Sequence, residues 1–159
     1  GFGGYGFRIT IKFNKMKALS VKNPFAGLIA SGNKIYEVRS WKTNYRGDIL
    51  ICSTQKPENE LWKYYIDFGF GYDTNKVAFE SEKVPDGCAV AVAKLVDIIE
   101  FDTEEMSCFA FVQRKALVEY FGDKPYYLWE LKDVVKIDPF PVKGKLGLFD
   151  VDYQMNKDS

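Results

Sequence analysis

The sequence predicts an α+β fold, a small mixed β-barrel decorated by short helices. Segments typical of strands and short segments of helical periodicity follow one another without the regular βαβ alternation of a doubly wound sheet. The longest apolar run, CAVAVAKLVDIIEF at residues 88–101, is rich in β-branched residues and is expected to form a buried barrel strand. Turn signals such as YRGD and FGFGYDTNK separate these segments.

The first two elements are a strand that starts at Met16 and the short helix that it enters, NPFAGLIASG. In that helix Asn23 suits the N-cap and Pro24 the first helical position. Gly32 suits a left-handed cap at the C-terminal end.

Strands and helices continue downstream. Pro57 and the acids after it mark the start of a helix over residues 57–67, and Asp102 or Thr103 could cap another helix. The other expected elements are strands at 35–40, 49–53 and 88–101, helices at 104–111 and 115–122, and strands at 126–137 and 146–151.

At 159 residues the chain has the length of one domain. Residues 1–15 are expected to be a leader or a cloning remnant, because Met16 begins a segment typical of a natural start. Residues 16–159 then form a single domain. No apolar run approaches the roughly 20 residues needed to cross a bilayer, and no secretory signal is evident, so no membrane partner is predicted.

The chain contains three cysteines and no histidine. Cys52, Cys88 and Cys108 show neither a CxxC pair nor a zinc-ligand spacing, which argues against disulfides and a structural metal and favours a reducing, cytoplasmic environment. Without histidine, Ser-His-Asp triads, Cys-His dyads and histidine-bearing zinc sites are excluded. No metal and no cofactor are therefore predicted.

Charge is distributed unevenly along a chain whose formal net charge is zero. Residues 1–47 hold nine basic residues and the single acid Glu37, a net charge of +8, so the remainder carries −8. This split predicts a basic surface on the N-terminal third that would attract a polyanion. The alternative is a solvated surface balanced in space by the acidic half, and charge alone favours neither.

The most informative motif is G-x-K-x-x-E-x-R, formed by Gly32, Lys34, Glu37 and Arg39. It resembles the signature of the ASCH domain family, a PUA-like β-barrel superfamily. The segments ALSVKNPFAGLIASGNK, WKTNYRGDILICS and PFPVKGKLGLFDV also resemble parts of that family, so the resemblance covers most of residues 16–152. It implies a single ASCH domain with a PUA-like barrel, whose signature residues line a cleft at the barrel mouth, and related folds bind RNA or modified bases.

The signature residues suit recognition of a base. Lys34 offers an ammonium to a phosphate or carbonyl, Arg39 a planar fork, and Glu37 an acceptor for an exocyclic amine or for the arginine. Trp41 or Tyr45 could stack on a splayed base, although Trp41 could equally cover one end of the core. Since Glu37 and Arg39 share one face of a regular strand, Lys34 must lie on the turn before the strand if all three converge.

Plainer roles exist for several of these side chains. Glu37 and Arg39 could form an ordinary ion pair, and only the family resemblance favours a ligand site. Lys42, Lys143 and Lys145 are interpreted as solvated lysines, although a strip of them could guide a phosphate backbone.

The leading functional hypothesis is a module that binds single-stranded RNA or a modified nucleoside or nucleotide. The second hypothesis is an enzyme, since the chain more distantly resembles the bacterial acetylcytidine amidohydrolases. In those enzymes the lysine matched by Lys34 works with a distal glutamate and with a threonine, at the position where this chain has Glu37. Lys34 with a lowered pKa and Glu37 could activate water for metal-independent hydrolysis, with Glu104 or Glu105 as the distal acid. The third is a protein-interaction adaptor, since the family occurs in transcription coactivators; the sequence selects no protein partner.

Overall fold

The computed structural model describes residues 15–57, 83–101 and 126–153. In chain order the elements are β1 (Lys15–Val21), α1 (Phe25–Ala30), β2 (Tyr36–Arg39), β3 (Gly47–Ser53), β4 (Cys88–Phe101), β5 (Tyr126–Pro141) and β6 (Leu148–Asp152). Every strand that the sequence predicts in these ranges is present, as is the helix after β1.

Several predictions fall outside the described residues. The helices expected at 104–111 and 115–122 lie there, as does the helix at 57–67 apart from its first residue. Of the predicted leader only Lys15 is described, where it pairs with Asp152 at the start of β1. In the described ranges α1 is the only helix, and no helix there is long and apolar enough to cross a membrane.

The strands form one mixed sheet in the order β2-β5-β4-β3-β1-β6. Only β1 and β3 run parallel; every other neighbouring pair is antiparallel. Within the described residues no backbone ladder joins the two ends of this order, so the expected closed barrel is corrected to an open sheet.

The open sheet nevertheless curls until β2, at one end of the order, faces β1 near the other end. The guanidinium of Arg39 on β2 donates a hydrogen bond from Nη2 to the carbonyl of Ser20 on β1. Register shifts between β4 and its neighbours, three of them against β5, supply the bending, because each irregularity increases the local twist. We call the gap between β2 and β1, spanned by this hydrogen bond, the seam.

Each face of the sheet carries a buried core. On the face that carries α1, all six helical residues are buried against alternate residues of the strands, around the fully buried Trp129. The opposite face has a smaller core of Ala18, Leu50, Cys52, Ala89, Val92 and Phe149. A helix that is apolar all round fits this interior position, since it leaves no polar face to hydrate.

The turns at the two ends of α1 orient the signature segment. Asn23 Oδ1 accepts a hydrogen bond from the backbone N–H of Gly27 at 3.2 Å, although the helix begins at Phe25, one residue later than predicted. At the other end Gly32 has φ +81°, a left-handed conformation that favours glycine. The chain then turns back, and the N–H of Lys34 donates to the carbonyl of Leu28 at 3.0 Å.

Candidate functional site

Lys34 lies on the turn before β2, where the sequence places it if the signature residues are to converge, but it is completely buried. Its Nζ is 5.3 Å from the centroid of the Phe25 ring, within the range of a cation–π contact. Burial lowers the pKa of Lys34 from its ordinary 10.5 to about 8, Glu37 opposes that shift, and Arg39 adds to it. Lys34 therefore lies within the core and does not line the cleft at the seam.

Glu37 and Arg39 face the seam. Glu37 is 7% exposed, and its Oε1 accepts a hydrogen bond from the N–H of Val38 at 3.1 Å. The same oxygen lies 3.6 Å from Arg39 Nε, so the predicted ion pair is present. However, Glu37 Oε2 and Arg39 Nε are buried without a hydrogen-bond partner among the described residues. A buried acceptor and a buried donor on these two paired side chains are thus left without a hydrogen bond.

A cleft of about 390 Å³ occupies the seam, and we call it the seam cleft. The ends of β1 and β2, the side chain of Phe25 and the loop after β5 enclose it. Its charged and aromatic lining residues are Lys22, Phe25, Glu37, Arg39, Trp41 and Lys145. It combines one carboxylate, three cations and two aromatic side chains.

Of the two aromatic residues proposed to stack on a base, only Trp41 lines the seam cleft. It packs edge-on against Trp129, with ring centroids 4.7 Å apart, and its carbonyl accepts a hydrogen bond from Trp129 Nε1 at 3.2 Å. Trp41 therefore covers the core and forms cleft wall at once. Tyr45 lies in the turn before β3, where its hydroxyl donates to the carbonyl of Asp48 at 2.7 Å.

A second cleft, of about 500 Å³, adjoins the first one. We call it the loop cleft, because the loop between β5 and β6, residues 142–147, forms one of its walls. Lys143 and Lys145 of that loop line it, and Lys145 lines both clefts. Lys42, the third lysine of the predicted strip, lies instead 5.7 Å from the centroid of the Tyr127 ring. The two clefts together are called the groove.

Metal and thiol chemistry find little support in the described part of the chain. No group of three or more Cys, Asp or Glu side chains there is placed to hold a metal ion. Burial raises the pKa of Cys52 to about 12, so its thiol stays protonated and acts as a small apolar side chain. Glu104 and Glu105, suggested as the distal acid, lie outside the described residues.

Several groove residues were not found from the sequence. Ser20 and Thr54, at the ends of β1 and β3, line both clefts, and so does the loop residue Leu146. Their approach depends on contacts between distant parts of the chain: the Ser20 hydroxyl donates to the carbonyl of Lys145, 125 positions away, at 3.4 Å. The only local signal was Leu146 itself, an apolar residue that follows Lys143, Gly144 and Lys145 and precedes Gly147.

Comparison with known proteins gives a match to a family model and a match to a curated protein. A family model described as the ASCH domain matches residues 19–141. Among curated proteins, Activating signal cointegrator 1 of Homo sapiens is 24% identical over 139 residues, which are 87% of this chain and 23% of that protein. The chain thus spans about a quarter of the length of this relative.

Solved structures with the same fold include the crystal structure of ASCH from Zymomonas mobilis. It aligns with a TM-score of 0.56 at 15% sequence identity, covering 86% of this chain and 87% of that chain. A point mutant of the same protein aligns with a TM-score of 0.52 at 17% identity, covering 81% and 77%. At these identities the likeness establishes the fold.

Proposed function

This chain belongs to the ASCH domain family, and on that premise we propose that it is a nucleic-acid-binding module that recognises a single-stranded or modified base in the seam cleft. The observation that carries the proposal is a pair of unsatisfied polar atoms, Glu37 Oε2 and Arg39 Nε, which we call the open pair; both atoms are buried, on two residues that line that cleft. A buried polar atom without a partner costs about 1–3 kcal/mol, and more when it is charged. A ligand that satisfies both atoms would recover that free energy.

The open pair selects for the edge of a base. On such an edge an exocyclic amine would donate to Glu37, while the adjacent carbonyl oxygen or ring nitrogen would accept from Arg39. A phosphate has only acceptor oxygens at neutral pH, and the Glu37 carboxylate would repel it. The side chains of Trp41 and Phe25, which also line the cleft, offer apolar surface to the ring.

Lys34 contributes to this function through Glu37. Lys34 is completely buried and interacts electrostatically with the Glu37 carboxylate from the core side. The side of Glu37 that faces the seam cleft remains available to the ligand. In this proposal Lys34 is a positioning residue, and Glu37, Arg39 and Trp41 contact the base. Tyr45, which does not line the seam cleft, is left out of the contact set.

Replacing Glu37 tests the proposal. Glu37→Gln should weaken binding of adenosine, cytidine, uridine or short RNAs by roughly tenfold, because it loses an acceptor for the base. It also leaves Lys34 and Arg39 unbalanced, so the charge-balanced double variant Lys34→Met/Glu37→Gln is measured beside it. Glu130→Gln is the matched control, since it removes a carboxylate of β5 that does not line the groove.

Calorimetry gives the affinities, and circular dichroism shows whether each variant is folded. The proposal predicts that both Glu37 variants lose affinity and that Glu130→Gln binds as the parent does. If folded Glu37 variants bind every nucleoside and RNA as tightly as the parent, the seam cleft is not a base site.

One observation favours the alternative of amide hydrolysis. With its pKa lowered to about 8, a larger fraction of this amine is unprotonated near neutral pH than of a surface lysine, and the unprotonated form can accept a proton. Its complete burial argues the other way, because a catalytic group must reach the scissile amide. Mass spectrometry of acetylated cytidine incubated with the protein decides between them: deacetylation that Lys34→Met abolishes would establish the enzyme.

Similarity to Activating signal cointegrator 1 favours a third function, that of a protein-interaction adaptor. The similarity covers 23% of that protein, and the described surface offers no feature that selects a protein partner. The base-binding function is preferred because the open polar pair gives it a specific chemistry.

A further inference from the structure

Resting on the function proposed above, we propose that the groove binds two consecutive nucleotides of a single strand, with one base in the seam cleft and the adjoining phosphodiester on the loop of residues 142–147. The starting point is the space available. The seam cleft of about 390 Å³ and the loop cleft of about 500 Å³ each fall within the roughly 300–1,000 Å³ typical of a site for one small ligand. Since they adjoin, the groove has room for more than one nucleotide unit.

The charges along the groove are arranged in a fixed order. Glu37, the only acid among the described residues that line the groove, lies in the seam cleft. The described lining of the loop cleft contains Lys143 and Lys145 and no acid. A phosphate is therefore repelled from the first cleft and attracted to the second, so a bound strand should place its base and its backbone in different clefts.

The backbone of the loop is held against the sheet. The N–H of Val142 donates to the carbonyl of Gly87 at 3.0 Å, and the Ser20 hydroxyl donates to the carbonyl of Lys145 at 3.4 Å. Gly144 lies so close to β1 that a Cβ at its position would be 2.7 Å from Ser20 Oγ. These contacts fix the main chain that carries both exposed lysines, so little backbone ordering is needed on binding.

Leu146 lies at the junction of the two clefts. Its relative exposure is 100%, the largest among the apolar residues of the described chain, and it lines both clefts. A ligand confined to one cleft would cover only part of this side chain. A strand that passes from one cleft into the other would cover it with sugar or base, which removes apolar surface from water.

The test compares two double variants that each remove two positive charges. Lys143→Gln/Lys145→Gln removes two lysine charges from the groove. Lys94→Gln/Lys132→Gln removes the charges of two exposed lysines that face each other on β4 and β5 and do not line the groove. Fluorescence anisotropy with labelled homopolymeric RNAs of adenine, cytosine and uracil gives affinities over a range of salt concentrations. Competition with the matching nucleosides and nucleoside 5′-monophosphates measures the smaller ligands.

We expect the groove double variant to bind RNA about tenfold more weakly at 0.1 M salt. The slope of log K against log salt should become less steep by about 0.7, the value for one lost phosphate contact on a single strand. Nucleoside affinities should fall by much less than the RNA affinity, because only Lys145 of the two also lines the seam cleft. The control double variant should stay close to the parent.

Three other results would each contradict the proposal in whole or in part. If both double variants lose the same affinity while the Glu37 variants still lose base binding, the loop holds no phosphate and the base site stands alone. A monophosphate that binds as tightly as RNA excludes the two-nucleotide strand. If no nucleoside, monophosphate or RNA binds the folded parent, the proposed function fails and this inference fails with it.

Discussion

The burial of Lys34 has an electrostatic cost that its neighbours offset only in part. Glu37 and the Phe25 ring favour the ammonium, but desolvation prevails and the pKa falls from 10.5 to about 8. Below pH 8 the lysine is charged in both the folded and the unfolded chain, so the full cost of burial is present. Between pH 8 and 10.5 the folded state releases the proton while the unfolded chain still holds it, so this contribution to stability rises with pH.

Lys34→Met isolates that contribution. The free energy of unfolding of the parent, relative to that of the variant, should rise by about 3 kcal/mol between pH 7 and pH 10.5, since one pKa unit corresponds to about 1.4 kcal/mol. Urea denaturation of both proteins across this pH range measures the difference. Groups that titrate in both proteins, such as Cys52, largely cancel. A constant difference would show that the ordinary pKa persists in the folded state.

At the scale of elements, the turn between α1 and β2 connects the helix to the signature strand. Gly32 has φ +81°, and a Cβ at this position would meet no atom within 4 Å. Any loss of stability from a small side chain there is therefore backbone strain and not a clash. The turn matters because it carries Lys34 into the core and aligns Glu37 with the seam.

Gly32→Ala should lower the free energy of unfolding by about 1–2 kcal/mol, the usual cost of the left-handed conformation for a residue with a Cβ. Gly32→Asn should cost less, because asparagine tolerates this conformation. Chemical denaturation of the three proteins tests both statements. Alanine and asparagine variants of equal stability would contradict the strain argument.

At the scale of the whole molecule, the seam brings β2, at one end of the strand order, to β1 near the other end, and no backbone ladder links these two strands within the described residues. Arg39 bridges it to the Ser20 carbonyl and also lies beside Glu37. A hydrogen bond from a charged group typically contributes about 1.5–3 kcal/mol, which is large for a contact made by one side chain. The same residue thus closes the fold and forms the cleft.

Arg39→Met should therefore reduce stability by about 2 kcal/mol. It should also speed amide hydrogen exchange in both β1 and β2, because the effect belongs to the seam and not to one strand. Lys17→Met is the control, since it removes an exposed ion pair with Asp150 and should cost less than about 1 kcal/mol. Faster exchange confined to β2 would mean that Arg39 does not hold the seam together.

The sequence alone determined the strands, the helix after β1, the glycine turn and the membership of the ASCH family. The strands, the helix and the turn depend on patterns within short stretches, such as apolar runs rich in β-branched residues and a glycine at the end of a helix, whereas the family was identified by the resemblance of the G-x-K-x-x-E-x-R segment and its flanks. The two-residue period of the strand puts Lys34 ahead of β2 if the signature residues converge; Lys34 does lie there, but it does not line the seam cleft with Glu37 and Arg39.

Only the tertiary structure decided that Lys34 is buried behind the cleft wall and that Tyr45 lies away from it. It also decided that the barrel remains open at a seam, and that the loop of residues 142–147 meets Ser20 across 125 positions of sequence. These features arise from packing between distant segments, such as the contact of Trp41 with Trp129. Such contacts depend on how the whole sheet curls, and no local pattern of residues encodes that curvature.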